Sequence, residues 1–98
     1  MTFTITWRPQ AQEDFDKAYA WHERQKNGLG DEFAQKIDET LERLRKNARI
    51  HRKVFEEVRR AVVEKFTYCV YYYIEDDVVV ILSVFHDKRN PDIWKSRI

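Results

Sequence analysis

The sequence has little of several residues that mark particular classes of protein. It holds one cysteine, two glycines and two prolines in 98 residues. A lone cysteine cannot close an intrachain disulfide, so we expect a disulfide-free fold suited to a reducing cytosol. Two glycines do not make a glycine-rich phosphate loop. No apolar run is long enough to span a membrane and no targeting signal is visible, so we predict a soluble cytoplasmic protein.

Net charge is also small. The chain has 18 basic and 17 acidic residues, giving a formal net charge of +1. General affinity for nucleic acid rises with the number of phosphates that a protein neutralises, so this balance disfavours a general nucleic-acid binder. The positive charge is local, because residues 49–65 hold six basic and three acidic side chains. A focused basic patch can still serve a specific site.

The residues that are present predict one folded domain covering residues 1–98. The composition is 43% hydrophobic, 36% charged and 14% aromatic, as in ordinary folded proteins. A chain of this length has room for a single core.

The first half of the chain predicts a strand and a helical hairpin. Residues 2–7 alternate threonine with apolar residues, which is typical of a half-buried strand. Residues 9–26 and 29–46 have helical periodicity, and Gly28 separates them. The connection is so short that the two helices must be antiparallel. Their apolar stripes are Ala11, Phe15, Ala18, Tyr19 and His22 in the first helix, and Leu29, Phe33, Ile37, Leu41 and Leu44 in the second.

The second half predicts an antiparallel meander. Residues 48–53 show no clear period and lead back to strands at 57–65, 68–75 and 78–86, joined by short links. The last strand is apolar on both faces and should be the most buried. The predicted class is α+β in the order β-α-α-β-β-β, with the helical hairpin packed on a small, mainly antiparallel sheet. A final helical turn is expected within residues 92–97.

The histidine, cysteine and serine residues do not indicate a metal site or a catalytic nucleophile. His22, His51 and His86 are scattered and no pair stands at ligand spacing, so we predict no metal site and no cofactor. Cys69 and Ser83 lie inside strand patterns. We interpret Cys69 as a buried structural residue rather than a nucleophile.

A cluster of basic side chains is the strongest candidate for chemistry. Arg59 and Arg60 should point to opposite faces of their strand, and Lys65 should share the face of Arg59. Such a patch could bind phosphate or stabilise a phosphoryl transition state, or it could simply solvate an outer sheet face. The full cluster is Arg59, Arg60, Lys65, His86, Arg89 and Arg97.

The order and spacing of several segments resemble toxins of the RelE/ParE superfamily of bacterial type II toxin–antitoxin systems. The resemblance extends almost from end to end of the chain. The segments are Trp-Arg-Pro-Gln-Ala at 7–11 with Asp14 and Phe15, Leu29 and Gly30 with Phe33, Val-Arg-Arg at 58–60, Lys-Phe-Thr-Tyr-Cys-Val-Tyr-Tyr at 65–72, and Val-Ile-Leu-Ser-Val-Phe-His-Asp-Lys-Arg-Asn-Pro at 80–91, followed by Trp94 and Arg97.

The resemblance implies a growth-inhibiting, plasmid-stabilising toxin that a cognate antitoxin neutralises in a hetero-oligomer. An antitoxin segment that folds onto the toxin would contact the hairpin and the sheet. We expect Phe15, Tyr19 and Phe33 on the hairpin and Trp94 and Arg97 in the tail to contact the target or the antitoxin.

The superfamily divides by target, and the tail favours the ParE branch. His-x-x-Arg-x-Pro at 86–91 followed by a tryptophan is similar to ParE-like toxins, which poison DNA gyrase and are not known as nucleases. RelE-like toxins are ribosome-dependent messenger-RNA endonucleases with strongly basic surfaces, which a net charge of +1 fits poorly. The third alternative is an inactive member that acts as a protein-interaction domain.

The RelE-like alternative implies specific roles for the basic cluster. Arg59 or Arg60, together with Arg89, would stabilise the scissile phosphate. His86 would act as general acid or base and Lys65 would assist. The RNA 2′-hydroxyl would attack, so this endoribonuclease would need no metal.

Overall fold

Two helices lie against one five-stranded sheet in the computed structural model, which describes residues 2–86 and 95–97. The predicted α+β class, with a helical hairpin on a mainly antiparallel sheet, is confirmed. No described helix is long and apolar enough to cross a bilayer. The elements are β1 (Thr4–Trp7), α1 (Pro9–Gln25), α2 (Leu29–Asn47), a 3-10 helix (Ala48–Ile50), β2 (Lys53–Phe55), β3 (Val58–Val62), β4 (Tyr68–Glu75) and β5 (Val78–His86).

The sheet has the order β1-β5-β4-β3-β2, and only β1 runs parallel to its neighbour, β5. The prediction that β5 is the most buried strand is confirmed, because β5 lies between β1 and β4 and residues 79–84 are all buried. Pairing between β1 and β5 ends at Trp7 and Ile81, so the rest of β5 continues past β1. The part of β5 that extends beyond Ile81 contributes to the candidate site.

The strand β2 was missed, and the strand predicted at 57–65 is shorter than expected. Three residues with mostly exposed side chains show no alternation, so β2 has no readable sequence pattern. A turn at Glu56, with φ +49°, separates β2 from β3, and β3 ends at Val62. The chain therefore leaves the sheet three residues before Lys65.

The hairpin turn is fixed by one carboxylate from α1. Glu23 accepts hydrogen bonds from the backbone N–H groups of Gly28 at 3.1 Å and Gly30 at 2.9 Å. The first N–H groups of a helix have no partner within it, and this carboxylate satisfies that of Gly30 from the neighbouring helix. Gly28 has φ +87°, and a Cβ on Gly30 would lie 2.9 Å from Glu23 Oε1, so both positions favour glycine.

Both faces of the sheet are packed. The helix-facing side holds the main core, to which Phe33, Ile37, Leu44, Tyr72 and Ile81 contribute fully buried side chains. The opposite side holds a smaller cluster built on Val58, Cys69, Tyr71 and Leu82. Cys69 is buried, as predicted for a structural residue.

Candidate binding groove

A groove of about 1040 Å³ lies between helix α1, the turn that joins β3 to β4, and the end of β5. Part of its wall is the edge of β5 that extends past β1. The polar and aromatic side chains that line it include Lys17, Trp21 and Arg24 from α1, Lys65 from the turn, and His86 and Arg97. The structure thus brings three of the predicted basic residues, Lys65, His86 and Arg97, to one surface.

Arg97 is held by a bidentate ion pair on one wall of the groove. Its Nη1 and Nη2 atoms lie 2.5 Å and 3.2 Å from the two carboxylate oxygens of Asp14. Nη1 also donates to the Leu82 carbonyl, while Asp14 accepts the Val84 backbone N–H at 3.3 Å. These two side chains satisfy backbone groups of β5 beyond the end of its pairing with β1. Arg97 therefore fastens the C-terminal end of the chain to α1 and β5.

Lys65 lies on the turn between β3 and β4 rather than on a strand. Its φ is +72°, and its Nζ lies 3.4 Å from Glu32 of helix α2. The prediction that Lys65 shares the face of Arg59 was wrong, because β3 ends at Val62 and the face pattern ends with it. Both partners of this ion pair are exposed, so the pair contributes little to stability.

His86 sits at the end of β5 and contacts the turn. Its Nε2 atom lies 2.6 Å from the Thr67 hydroxyl, and its ring meets Tyr68 edge to face. This contact joins the end of β5 to the start of β4. The imidazole tautomer decides which of the two atoms donates in this hydrogen bond.

Arg59 lies outside the groove and has a structural role. Its Nη1 atom donates to the backbone carbonyls of Arg49 at 2.9 Å and His51 at 2.7 Å. The Tyr72 hydroxyl donates to the nearby Ala48 carbonyl at 2.6 Å. Together these bonds hold the 3-10 helix and the following residues against the sheet. Arg60 is exposed and pairs with Tyr71 across the ladder, on the opposite face from Arg59, as predicted.

The surroundings of Arg59 shift the pKa values of two neighbouring side chains, His51 and Tyr72. Burial lowers the pKa of His51 below its usual 6.5, and the positive charges of Arg43 and Arg59 lower it further. Burial raises the pKa of the Tyr72 phenol. Both side chains are therefore neutral at pH 7, and the guanidinium beside them is committed to carbonyl oxygens.

The three aromatic residues of the helical hairpin that were predicted as partner contacts differ in exposure. Phe33 is fully buried and stacks on His22 with centroids 4.6 Å apart, so its prediction as a contact residue was wrong for this fold. Phe15 is partly buried, and its ring centroid lies 5.9 Å from the ring centroid of Phe33. Tyr19 donates to Asp31 at 2.5 Å, a hydrogen bond that raises the pKa of the phenol. Phe15 and Tyr19 retain some surface.

The sequence-based predictions did not include three groove residues, namely Lys17, Trp21 and Arg24. Trp21 is 49% exposed, and Arg24 follows it by one turn on α1. A signal was present, because Trp21 falls off the apolar stripe of its helix, where an aromatic side chain is not needed for packing. The predicted site residues Arg89 and Trp94 lie outside the described residues, as does most of the predicted helical turn at 92–97.

No metal site is evident in the part of the chain that the structure describes. Within residues 2–86 and 95–97, no three His, Cys, Asp or Glu side chains lie close enough to hold a metal ion. The groove instead offers cations, an exposed indole and hydrogen-bonding groups, which suit non-covalent binding.

The architecture is that of the RelE/ParE superfamily, in which a helical hairpin covers a small sheet, as the sequence resemblance implied. A family model described as the ParE toxin of the type II toxin–antitoxin system parDE matches residues 5–91. The chain belongs to this ParE toxin family. The predicted closeness to the ParE branch is confirmed.

A solved structure supports the fold independently. A chain from a structure described as the chromosomal ParDE TA system from P. aeruginosa superposes with a TM-score of 0.72. The two chains are 19% identical, and the match covers 87% of this chain and 96% of the other. At this identity the match shows a shared fold. A search of the curated proteins gave no match.

Proposed function

We propose that this ParE-family toxin inhibits bacterial growth by acting on DNA gyrase, and that a cognate antitoxin neutralises it. The observation that supports this most is the family match over residues 5–91, which includes the hairpin, the sheet and most of the groove. The P. aeruginosa structure of similar fold comes from a ParDE toxin–antitoxin system, which supports a toxin–antitoxin hetero-oligomer here. Such a toxin acts in the cytoplasm, where gyrase works on DNA.

The placement of the basic side chains supports a binding protein over a nuclease. A metal-independent ribonuclease needs its acid, base and cations within hydrogen-bond reach of one phosphate. Lys65 and His86 line the groove, whereas Arg59 donates to two backbone carbonyls elsewhere. The predicted catalytic set is therefore divided between the groove and another part of the fold, which favours binding. A RelE-like endonuclease is the alternative function that the tests below distinguish.

A binding mode has a stoichiometric consequence. A toxin that occupies gyrase inhibits about as many enzyme molecules as there are toxin molecules, whereas a nuclease turns over many substrates. The antitoxin would compete by burying toxin surface, and coupled folding of its segment would supply specificity.

The first test is induction of the chain alone in bacteria, followed by co-induction with candidate antitoxins, such as any small open reading frame adjacent to its gene. We expect growth arrest with the toxin and recovery with the antitoxin. Plasmid isolated from the arrested cells should lose negative supercoiling. Cleavage of messenger RNA in the ribosomal A site with normal supercoiling would instead support the RelE-like alternative. Normal growth with folded protein present would support an inactive, protein-interacting member.

A further inference from the structure

The groove concentrates positive charge in a molecule that is almost neutral. The chain has a formal net charge of +1, yet the described residues that line the groove include four permanent cations and one carboxylate. Asp14 is that carboxylate, and its ion pair with Arg97 leaves neither side chain available to a ligand. The cations that face the open groove are Lys17, Arg24 and Lys65.

Within the part of the chain that the structure describes, these three cations have weak ion-pair partners or none. Lys17 pairs with Glu13 at 2.8 Å and Lys65 with Glu32 at 3.4 Å, and all four side chains are more than two-fifths exposed. Exposed ion pairs contribute little, so an incoming anion can exchange with the carboxylates. Among the described residues, no carboxylate lies within ion-pair distance of Arg24.

Trp21 supplies an aromatic surface beside these cations. The indole is 49% exposed, the largest exposed aromatic surface in the described part of the chain. Its ring meets the buried His22 ring edge to face, with centroids 5.0 Å apart. His22 is itself fixed by the 2.6 Å contact of its Nδ1 atom with the Ala18 carbonyl and by stacking on Phe33. The indole is therefore held in place while about half of it faces solvent.

We propose that this groove binds nucleotides through their bases and phosphates, as a single-stranded nucleic-acid segment or as a free nucleotide. A base stacks on Trp21, and Lys17, Arg24 and Lys65 meet phosphate oxygens. Stacking on an aromatic side chain beside cations is how proteins bind single strands with little sequence preference. The groove is small, so a nearly neutral chain can bind a short segment without general affinity for duplex DNA.

The isolated chain should bind nucleotides in the absence of gyrase and antitoxin, so this binding can be tested separately from the proposed inhibition of gyrase. Purified full-length chain is titrated against a fluorescein-labelled twelve-residue oligothymidylate, and binding is followed by fluorescence anisotropy at several salt concentrations. A parallel arm displaces the oligonucleotide with ATP. If ATP displaces the oligonucleotide at concentrations near the oligonucleotide's own dissociation constant, the groove is a mononucleotide site. If ATP displaces it only weakly, the groove binds a single-stranded segment.

Two groove variants test the assigned contacts. Trp21→Ala should weaken oligonucleotide binding by about 5- to 150-fold, the range measured for loss of one base–aromatic stack. Arg24→Ala should weaken binding and reduce the slope of log affinity against log salt by about 0.7, the value for one phosphate contact on a single strand. Thermal melting confirms that each variant is folded.

Arg52→Ala is the matched control, because it removes the same charge from an exposed side chain that does not line the groove. It should change the affinity less than twofold. Equal losses in Arg52→Ala and Arg24→Ala would overturn the proposal, since binding would then follow overall charge. So would unchanged binding in both groove variants, or binding of an acidic peptide in the groove with no binding of the oligonucleotide. A chain that inhibits gyrase without binding nucleotides would overturn this inference alone.

Discussion

The basic residues fall into two groups that look alike in the sequence and differ in the partners that the structure gives them. The anchored arginines, Arg59 and Arg97, donate their hydrogen bonds to backbone carbonyls and to a partly buried carboxylate. The groove cations, Lys17, Arg24 and Lys65, are exposed and have weak partners or none among the described residues. Charge alone therefore does not identify a functional residue, because the partner decides whether a cation holds the fold together or remains available.

The largest expected difference is between Arg97 and Arg24. Arg97→Ala should lower the free energy of unfolding by about 3 kcal/mol, because the Asp14 carboxylate, 9% exposed, loses its counter-ion. Arg24→Ala should change stability by less than about 0.5 kcal/mol. Urea denaturation measures both. Equal changes in the two variants would break the comparison, and a cycle with Asp14→Ala would show whether the ion pair itself is responsible.

Arg59 and Arg60 provide a second, smaller contrast between neighbours in one strand. Arg59→Ala should cost about 2 kcal/mol, since two carbonyls lose a charged donor. Arg60→Ala, at an exposed position, should stay within about 0.5 kcal/mol. The same urea experiment applies, with unchanged m values as the check on folding. A larger loss at Arg60 would mean that the face assignment is reversed.

The region around Arg59 should also make the stability of the fold decrease on mild acidification. The pKa of His51 is lowered in the folded state by burial and by Arg43 and Arg59, so the unfolded chain binds the proton more readily. Its stabilising contribution is full above the unfolded value of 6.5 and is lost as the pH falls through the lower folded value. Melting temperatures between pH 7.5 and 5.5 should show this loss, and His51→Gln should reduce the slope. An unchanged slope in the variant would count against the anchoring of this residue.

The smallest effect is expected at Lys65. Lys65→Ala removes an exposed ion pair with Glu32 and should change stability by less than about 0.5 kcal/mol. Added salt should shrink even this difference. Melting experiments at low and high salt measure both effects. A loss of more than about 1 kcal/mol, on the order expected of anchored charges, would mean that Lys65 belongs with the anchored arginines.

Strong local patterns predicted most of the fold. Strands β4 and β5 and the start of helix α2 fall where alternation and helical spacing placed them. The short strand β2 and the early end of β3 were missed because a three-residue edge strand and a left-handed turn leave no periodic signal. The mistake at Lys65 followed directly from extending β3 too far.

The site was harder to predict because it depends on contacts between distant residues. Asp14 and Arg97 are 83 positions apart, and nothing local shows that they pair. Phe33 lies on an apolar stripe, and the pattern alone does not tell a core residue from a contact residue. A hydrophobic stripe predicts which face of a helix packs inward, but it does not predict the exposed fraction of each side chain on that face.

The central claim is that the chain acts as a stoichiometric inhibitor of gyrase, and titration of purified toxin against gyrase in a supercoiling assay tests it most directly. We predict half-inhibition near equimolar toxin, with activity restored by the antitoxin encoded beside the toxin gene. Full supercoiling at a large molar excess of folded toxin, with cleavage of ribosome-bound messenger RNA by the same preparation, would contradict the account.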